Sequence, residues 1–116
     1  MSTQATPRRG EVWMAEFGPV RGHEQTGRRP ALVISIDLFN SGPTELAIAI
    51  PITTKYKRTP FHVACVPPEG GLREESFIKC EDVRSLSKDR LTRRLGAVFP
   101  LTLAAVEDRL RILLGL

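Results

Sequence analysis

The feature that most constrains this fold is how late helical periodicity appears. Before residue 87 every apolar run is short, rich in strand-forming residues and closed by glycine, proline or another turn residue. Residues 11–17 (EVWMAEF) end at Gly18-Pro19, and residues 31–36 (ALVISI) form a continuous apolar run of the kind buried on both faces. Residues 45–52 (ELAIAIPI) carry Pro51 near the end, where a missing N–H is tolerated. Residues 61–66 (FHVACV) and 76–84 (SFIKCEDVR) alternate as half-buried strands do. Residues 87–90 look like a short helix start capped by Ser87. A full helix is predicted only at 100–114, where Leu103, Val106, Leu110 and Leu113 recur at steps of three and four. Gly115 is placed to end it in the left-handed conformation. Five strands and a closing helix predict a mainly β protein with a C-terminal helix, a small antiparallel barrel under helical cover.

A chain of 116 residues fits one compact domain, expected at residues 10–116 after a loose polar tail at 1–9. Nothing approaches the roughly 18 apolar residues of a membrane span, and the start lacks a signal peptide's apolar run. A cytoplasmic protein without a membrane partner is expected. Seventeen Lys and Arg against thirteen Asp and Glu give a net charge of +4, which favours a polyanionic partner, chiefly nucleic acid. Cys65 and Cys80 are too few for a disulfide scaffold or a zinc site and are expected as buried thiols. His23 and His62 have no ligand spacing, so no metal cofactor is expected.

Residues 20–30 (VRGHEQTGRRP) concentrate the chemistry. Two glycines permit tight turns, and Pro30 fixes the backbone beside Arg29 just before an apolar strand. An arginine presented this way can hold a phosphate through two N–H donors, with Glu24 or His23 able to move protons beside it. The same residues would also suit a solvated hairpin loop with a surface ion pair. The loop at 53–60 (TTKYKRTP) combines Lys55, Lys57 and Arg58 with the ring of Tyr56, the pairing that suits phosphates and an unstacked base.

The flanks narrow these readings. Arg9-Gly10-Glu11-Val12-Trp13, then Gly22-x-Glu24-Gln25-x-Gly27-x-Arg29-Pro30, then Pro51-Ile52-Thr53 closely resemble the MazF/PemK toxin endoribonucleases. Gly71-Leu72, Arg84, Arg94, Gly96 and the closing Leu113-Leu114-Gly115-Leu116 match as well. The resemblance spans almost everything after the tail.

It implies an SH3-like barrel working as a homodimer, and metal-independent cleavage of single-stranded RNA at short motifs. The attacking group would be the RNA 2′-OH, leaving a 2′,3′-cyclic phosphate and a 5′-OH. The family's catalytic arginine falls on Arg29, its hydroxyl partner on Thr53, and its loop acid and amide on Glu24 and Gln25. Substrate contacts are then expected from His23, Gln25, Arg28, Thr54, Lys55, Tyr56, Lys57, Arg58, Asp82 and Arg84. Glu24 and His23 stand as candidates for taking the 2′-OH proton, with Arg29 itself a further participant, and the choice stays open. The chain departs from the family in carrying His23 for a common serine, and Glu81-Asp82 for the usual acid–Gln pair. The resemblance also implies an antitoxin whose acidic disordered segment folds along the basic groove. The competing reading is a non-catalytic module gripping nucleic acid or gyrase, which would need neither Arg29 nor Thr53.

Overall fold

The structure, a computed structural model, describes residues 6–18 and 27–116. The strands are β1 (Glu11–Glu16), β2 (Arg28–Val33), β3 (Leu46–Thr53), β4 (His62–Cys65), β5 (Ser76–Lys79), β6 (Arg84–Ser87) and β7 (Leu91–Ala97), with helices α1 (Asp37–Asn40) and α2 (Pro100–Leu114). The sheet runs β4-β5-β3-β2-β1-β7, with β6 also paired to β3. Every pairing is antiparallel. This is the expected β-plus-helix class, but the pairing path does not close into a ring. Leu86 of β6 and Leu91 of β7 belong to one hydrophobic cluster.

Alternation splits the apolar residues between two cores. One face gathers Val12, Leu32, Ile50, Ile52 and Ile78 with Leu72, Cys65, Cys80 and Val106. The other gathers Trp13, Ala15, Phe17, Ala31, Val33, Ala47, Ala49, Leu86 and Leu91. Adjacent residues such as Leu32 and Val33 therefore belong to opposite cores, which explains the continuous apolar run. Helix α2 lies on the first face. Val106 is fully buried there, and Leu103, Leu110 and Leu113 pack beside it, so the periodic stripe is core. Pro100 opens the helix, and Gly115 ends it at φ 70° while donating its N–H to the Arg111 carbonyl. Burial, reinforced by Glu69 near Cys65 and Glu81 near Cys80, pushes both thiols up to about 12. No helix of the described residues is long and apolar enough to cross a membrane.

Three local expectations are corrected. Residues 76–84 are not one strand: a 3-10 turn at Cys80–Asp82 separates β5 from β6. Strand β3 pairs with β6 at Leu46–Ala49 and with β5 at Ile52 and Thr53, so the chain must step between two partner positions. Ser87 caps no N–H; its hydroxyl donates to the Asp89 carboxylate at 2.6 Å, beside a single 3-10 turn at Lys88–Arg90. Strand β7 was not expected, because Thr92, Arg93 and Arg94 interrupt apolar alternation. Pairing with β1 holds it nonetheless, through two register shifts and an Arg94–Glu11 ion pair at 2.7 Å.

Candidate functional site

Arg29 and Thr53 lie on strands that are neighbours in the sheet, β2 and β3. Ala31 of β2 lies opposite Pro51 of β3, where the pairing of these strands ends, two residues short of Arg29 and Thr53. Arg29 is opposite Ala15 of β1. Thr53 is opposite Phe77 of β5, which is opposite Ala64 of β4. Opposed residues share a sheet face with Cβ atoms about 4.5–5.5 Å apart. Ala15 and Arg29 thus form one opposed pair, and Thr53, Phe77 and Ala64 form a row across three strands.

Burial differs among these residues. Ala15 is fully enclosed in the second core, Thr53 and Phe77 are buried at 7% and 9% exposure, and Ala64 is open to solvent. The charge of Arg29, which keeps partial exposure, is partly shielded from water. The Thr53 hydroxyl oxygen accepts the Lys55 backbone N–H at 3.1 Å, which fixes its orientation and leaves its O–H as a donor. Arg29 is half-buried, and among the described residues its guanidinium makes no hydrogen bond or ion pair. Its neighbour Arg28 is exposed, with Nε 4.0 Å from Glu16.

Beyond Thr53 the chain enters the basic loop, where Thr54, Lys55, Tyr56, Lys57 and Arg58 are all exposed. The Tyr56 ring leans on Phe77 with centroids 5.3 Å apart and planes tilted by 53°. Between this loop and β4–β5 opens a recess of about 530 Å³, with Phe77, Ala64 and His62 on its strand side and Tyr56, Lys57 and Arg58 on its loop side. His62 Nε2 is 2.9 Å from a Glu81 carboxylate oxygen, and the imidazole is 3% exposed. Its Nδ1 has no hydrogen-bond partner among the described residues. Sequence reasoning did not select His62, Ala64, Phe77 or Glu81. The alternation in FHVACV does put His62 and Ala64 on one face, but only the pairing with β5 adds Phe77.

Asp82 and Arg84 are drawn together but away from open surface. Arg84 donates to Asp82 at 2.7 Å, Lys79 Nζ lies 3.6 Å from the same carboxylate, and the Arg84 guanidinium stacks 5.0 Å over the Phe17 ring. The Phe17 N–H donates to the Gly27 carbonyl at 2.9 Å, closing the root of the 18–27 segment. Arg84 is thereby positioned as a support for that root. His23, Glu24 and Gln25 lie outside the described residues. A second cleft, of about 320 Å³, lies beside the row and includes Met14, Pro30, Thr54, Arg73 and Arg93.

Comparison with known proteins gives this geometry its context. Residues 8–114 match the family described as PemK-like, MazF-like toxin of type II toxin-antitoxin system. Endoribonuclease MazF9 of Mycobacterium tuberculosis is 33% identical over 114 residues, covering 94% of this chain and 97% of that protein. The crystal structure of MazF from Deinococcus radiodurans matches with a TM-score of 0.86 and 35% identity, over 97% of this chain and 100% of that one. A mycobacterial endoribonuclease solved in complex with its cognate antitoxin matches with a TM-score of 0.80 and 29% identity, over 95% and 96% of the two chains. With a family match over residues 8–114 and a relative 33% identical across nearly its whole length, the chain belongs to the PemK-like, MazF-like toxin family of type II toxin–antitoxin systems.

Proposed function

We propose that the chain is a sequence-specific endoribonuclease toxin that cuts single-stranded RNA without a metal and is neutralised by a cognate antitoxin. The endoribonuclease relatives and the antitoxin-bound neighbour support the activity and the partner. The observation that carries the chemistry is the pairing of β2 with β3, which sets the strand bearing half-buried Arg29 beside the strand bearing Thr53.

In the proposed reaction the RNA 2′-OH attacks the adjacent phosphorus as the P–O5′ bond breaks. The products are a 2′,3′-cyclic phosphate and a 5′-OH. The 2′-OH loses its proton as the leaving O5′ gains one, and Glu24 and His23 are the candidates for taking the first. Negative charge grows on the phosphate oxygens as this proceeds, and donors already aimed there lower the barrier. Arg29 offers two parallel N–H groups with a permanent charge, and Thr53 adds one neutral O–H. The basic loop supplies a track for neighbouring phosphates. Acidic residues on a disordered antitoxin segment would compete for the same charges. We further assign the working unit as a cytoplasmic homodimer of a single domain spanning 10–116.

The test is an RNA containing the preferred motif, and its twin with one 2′-deoxy nucleotide immediately 5′ of the scissile phosphate, both in excess EDTA. The all-RNA strand is cut to a cyclic-phosphate end, while the twin binds nearly as well and stays intact. Cutting of both at equal rates overturns the 2′-OH mechanism. Binding of both with cleavage of neither returns the chain to a non-catalytic binding module.

A further inference from the structure

We propose that Arg84 is a positioning residue for Arg29: with Arg90 it fixes the end of β1, and that end is the strand partner of the segment on which Arg29 stands. The inference rests on the ribonuclease reading and gives Arg84 a task other than the RNA contact expected from the resemblance. The pairing of β2 with β3 ends at Ala31 and Pro51, so among the described residues Arg28 and Arg29 have a strand partner on one side only. That partner is β1. Ala15 lies opposite Arg29, Glu16 lies opposite Arg28, and Phe17 donates its N–H to the Gly27 carbonyl at 2.9 Å. On its other side, β1 keeps β7 no further than the Ala15–Leu91 pair. Strand ends paired on one side open locally unless side chains hold them.

Two arginines supply that hold. The Arg90 guanidinium donates to the Glu16 carbonyl at 3.1 Å. The Arg84 guanidinium lies 5.0 Å over the Phe17 ring, and this cation–π contact fixes the ring's orientation. Arg84 is itself held: it donates to Asp82 at 2.7 Å, Lys79 Nζ stands 3.6 Å from the same carboxylate, and the Arg84 side chain is only 17% exposed. Phe17 and Ala15 face the same core, and Arg29 opposes Ala15, so Phe17 is the diagonal neighbour of Arg29 across the two strands. A displaced Phe17 therefore shifts the base from which the Arg29 guanidinium reaches a phosphate. Misplacement by about 1 Å can cost about 10²-fold in rate.

Arg84→Gln and Phe17→Leu test the clamp. In single-turnover cleavage at saturating RNA, each is expected to be slower than the wild type by roughly ten-fold, and the double variant no slower than either. Arg84→Lys, which keeps a cation for both the ring and Asp82, recovers part of the rate. RNA affinity and its salt dependence stay unchanged in Arg84→Gln. Added to Arg29→Ala, Arg84→Gln causes no further loss, because the group it positions is gone. A weaker affinity with a log–log salt slope flattened by about 0.7 would make Arg84 a phosphate contact and overturn the proposal. So would an equal further loss in the Arg29→Ala background, or additive losses from Arg84→Gln and Phe17→Leu. Should the wild type cut no RNA, the ribonuclease reading fails, and the clamp is read separately by amide hydrogen exchange. The Phe17 N–H then loses protection in Arg84→Gln, while the Ile34 N–H, bonded to the Ile48 carbonyl at 2.9 Å, keeps its own. Unchanged exchange at Phe17, or equal loss at both amides, refutes the clamp.

Discussion

Arg29 and Thr53 sit on neighbouring strands but differ in what each can give a phosphate. The guanidinium contributes a charge and two donors, whereas the hydroxyl contributes one neutral donor whose oxygen is already fixed by the Lys55 N–H. Removing one preorganised donor from a developing oxyanion typically lowers turnover about 10²–10³-fold. Arg29→Ala is therefore expected to lose at least that much activity while remaining folded, since its guanidinium makes no ion pair among the described residues. Thr53→Val, nearly the same size, should lose less. Single-turnover cleavage rates, with circular dichroism to confirm folding, check both. A folded Arg29→Ala protein cutting at the wild-type rate would remove Arg29 from the mechanism.

At the scale of elements, the readable parts are those whose signal is local. Helix α2 is a stripe of leucines and valine between Pro100 and Gly115, and its bounds follow from those residues alone. Strand β7 depends on pairing with β1 across some eighty residues of sequence, and the β5–β6 break depends on where β3 changes partner; neither leaves a local trace. The site divides in the same way. Arg29 and Thr53 came from the family resemblance, and the row that joins Thr53 to Phe77 and Ala64 comes from strand pairing. Gly71 shows how closely these elements meet. A Cβ there would lie 2.0 Å from the Leu95 carbonyl oxygen of β7, and φ is +68°. Gly27 has a similar φ of +77° but, among the described residues, nothing within 4 Å. Gly71→Ala is thus expected to cost more than about 2 kcal/mol, and Gly27→Ala only the left-handed strain of about 1–2 kcal/mol. Chemical denaturation midpoints measure the difference. Equal losses would mean that strain alone, rather than contact with β7, dictates glycine at position 71.

Over the whole molecule, a net charge of +4 on 116 residues is modest, and its effect depends on where it is exposed. Several basic side chains are already engaged: Arg9 with Glu107, Lys79 and Arg84 with Asp82, and Arg94 with Glu11. Lys55, Lys57 and Arg58 are exposed on one loop next to the open end of the catalytic row, and no ion pair engages them among the described residues. If this loop is the track that guides the strand past Arg29, each of its charges displaces a counterion from the phosphate it meets. Neutralising each one should then flatten the log–log salt dependence of single-strand affinity by about 0.7. Substituting Lys88 should leave the slope unchanged, because its ammonium is already committed to the Asn40 carbonyl at 2.7 Å. Affinity measured from low to moderate salt for Lys55→Gln, Lys57→Gln, Arg58→Gln and Lys88→Gln separates the two behaviours. Equal slopes in all four would show that the polymer takes another path across the surface. The cleft that includes Arg73 and Arg93, beside Pro30 and Thr54, would then be the next surface to neutralise, since it adjoins the same two strands from a different direction.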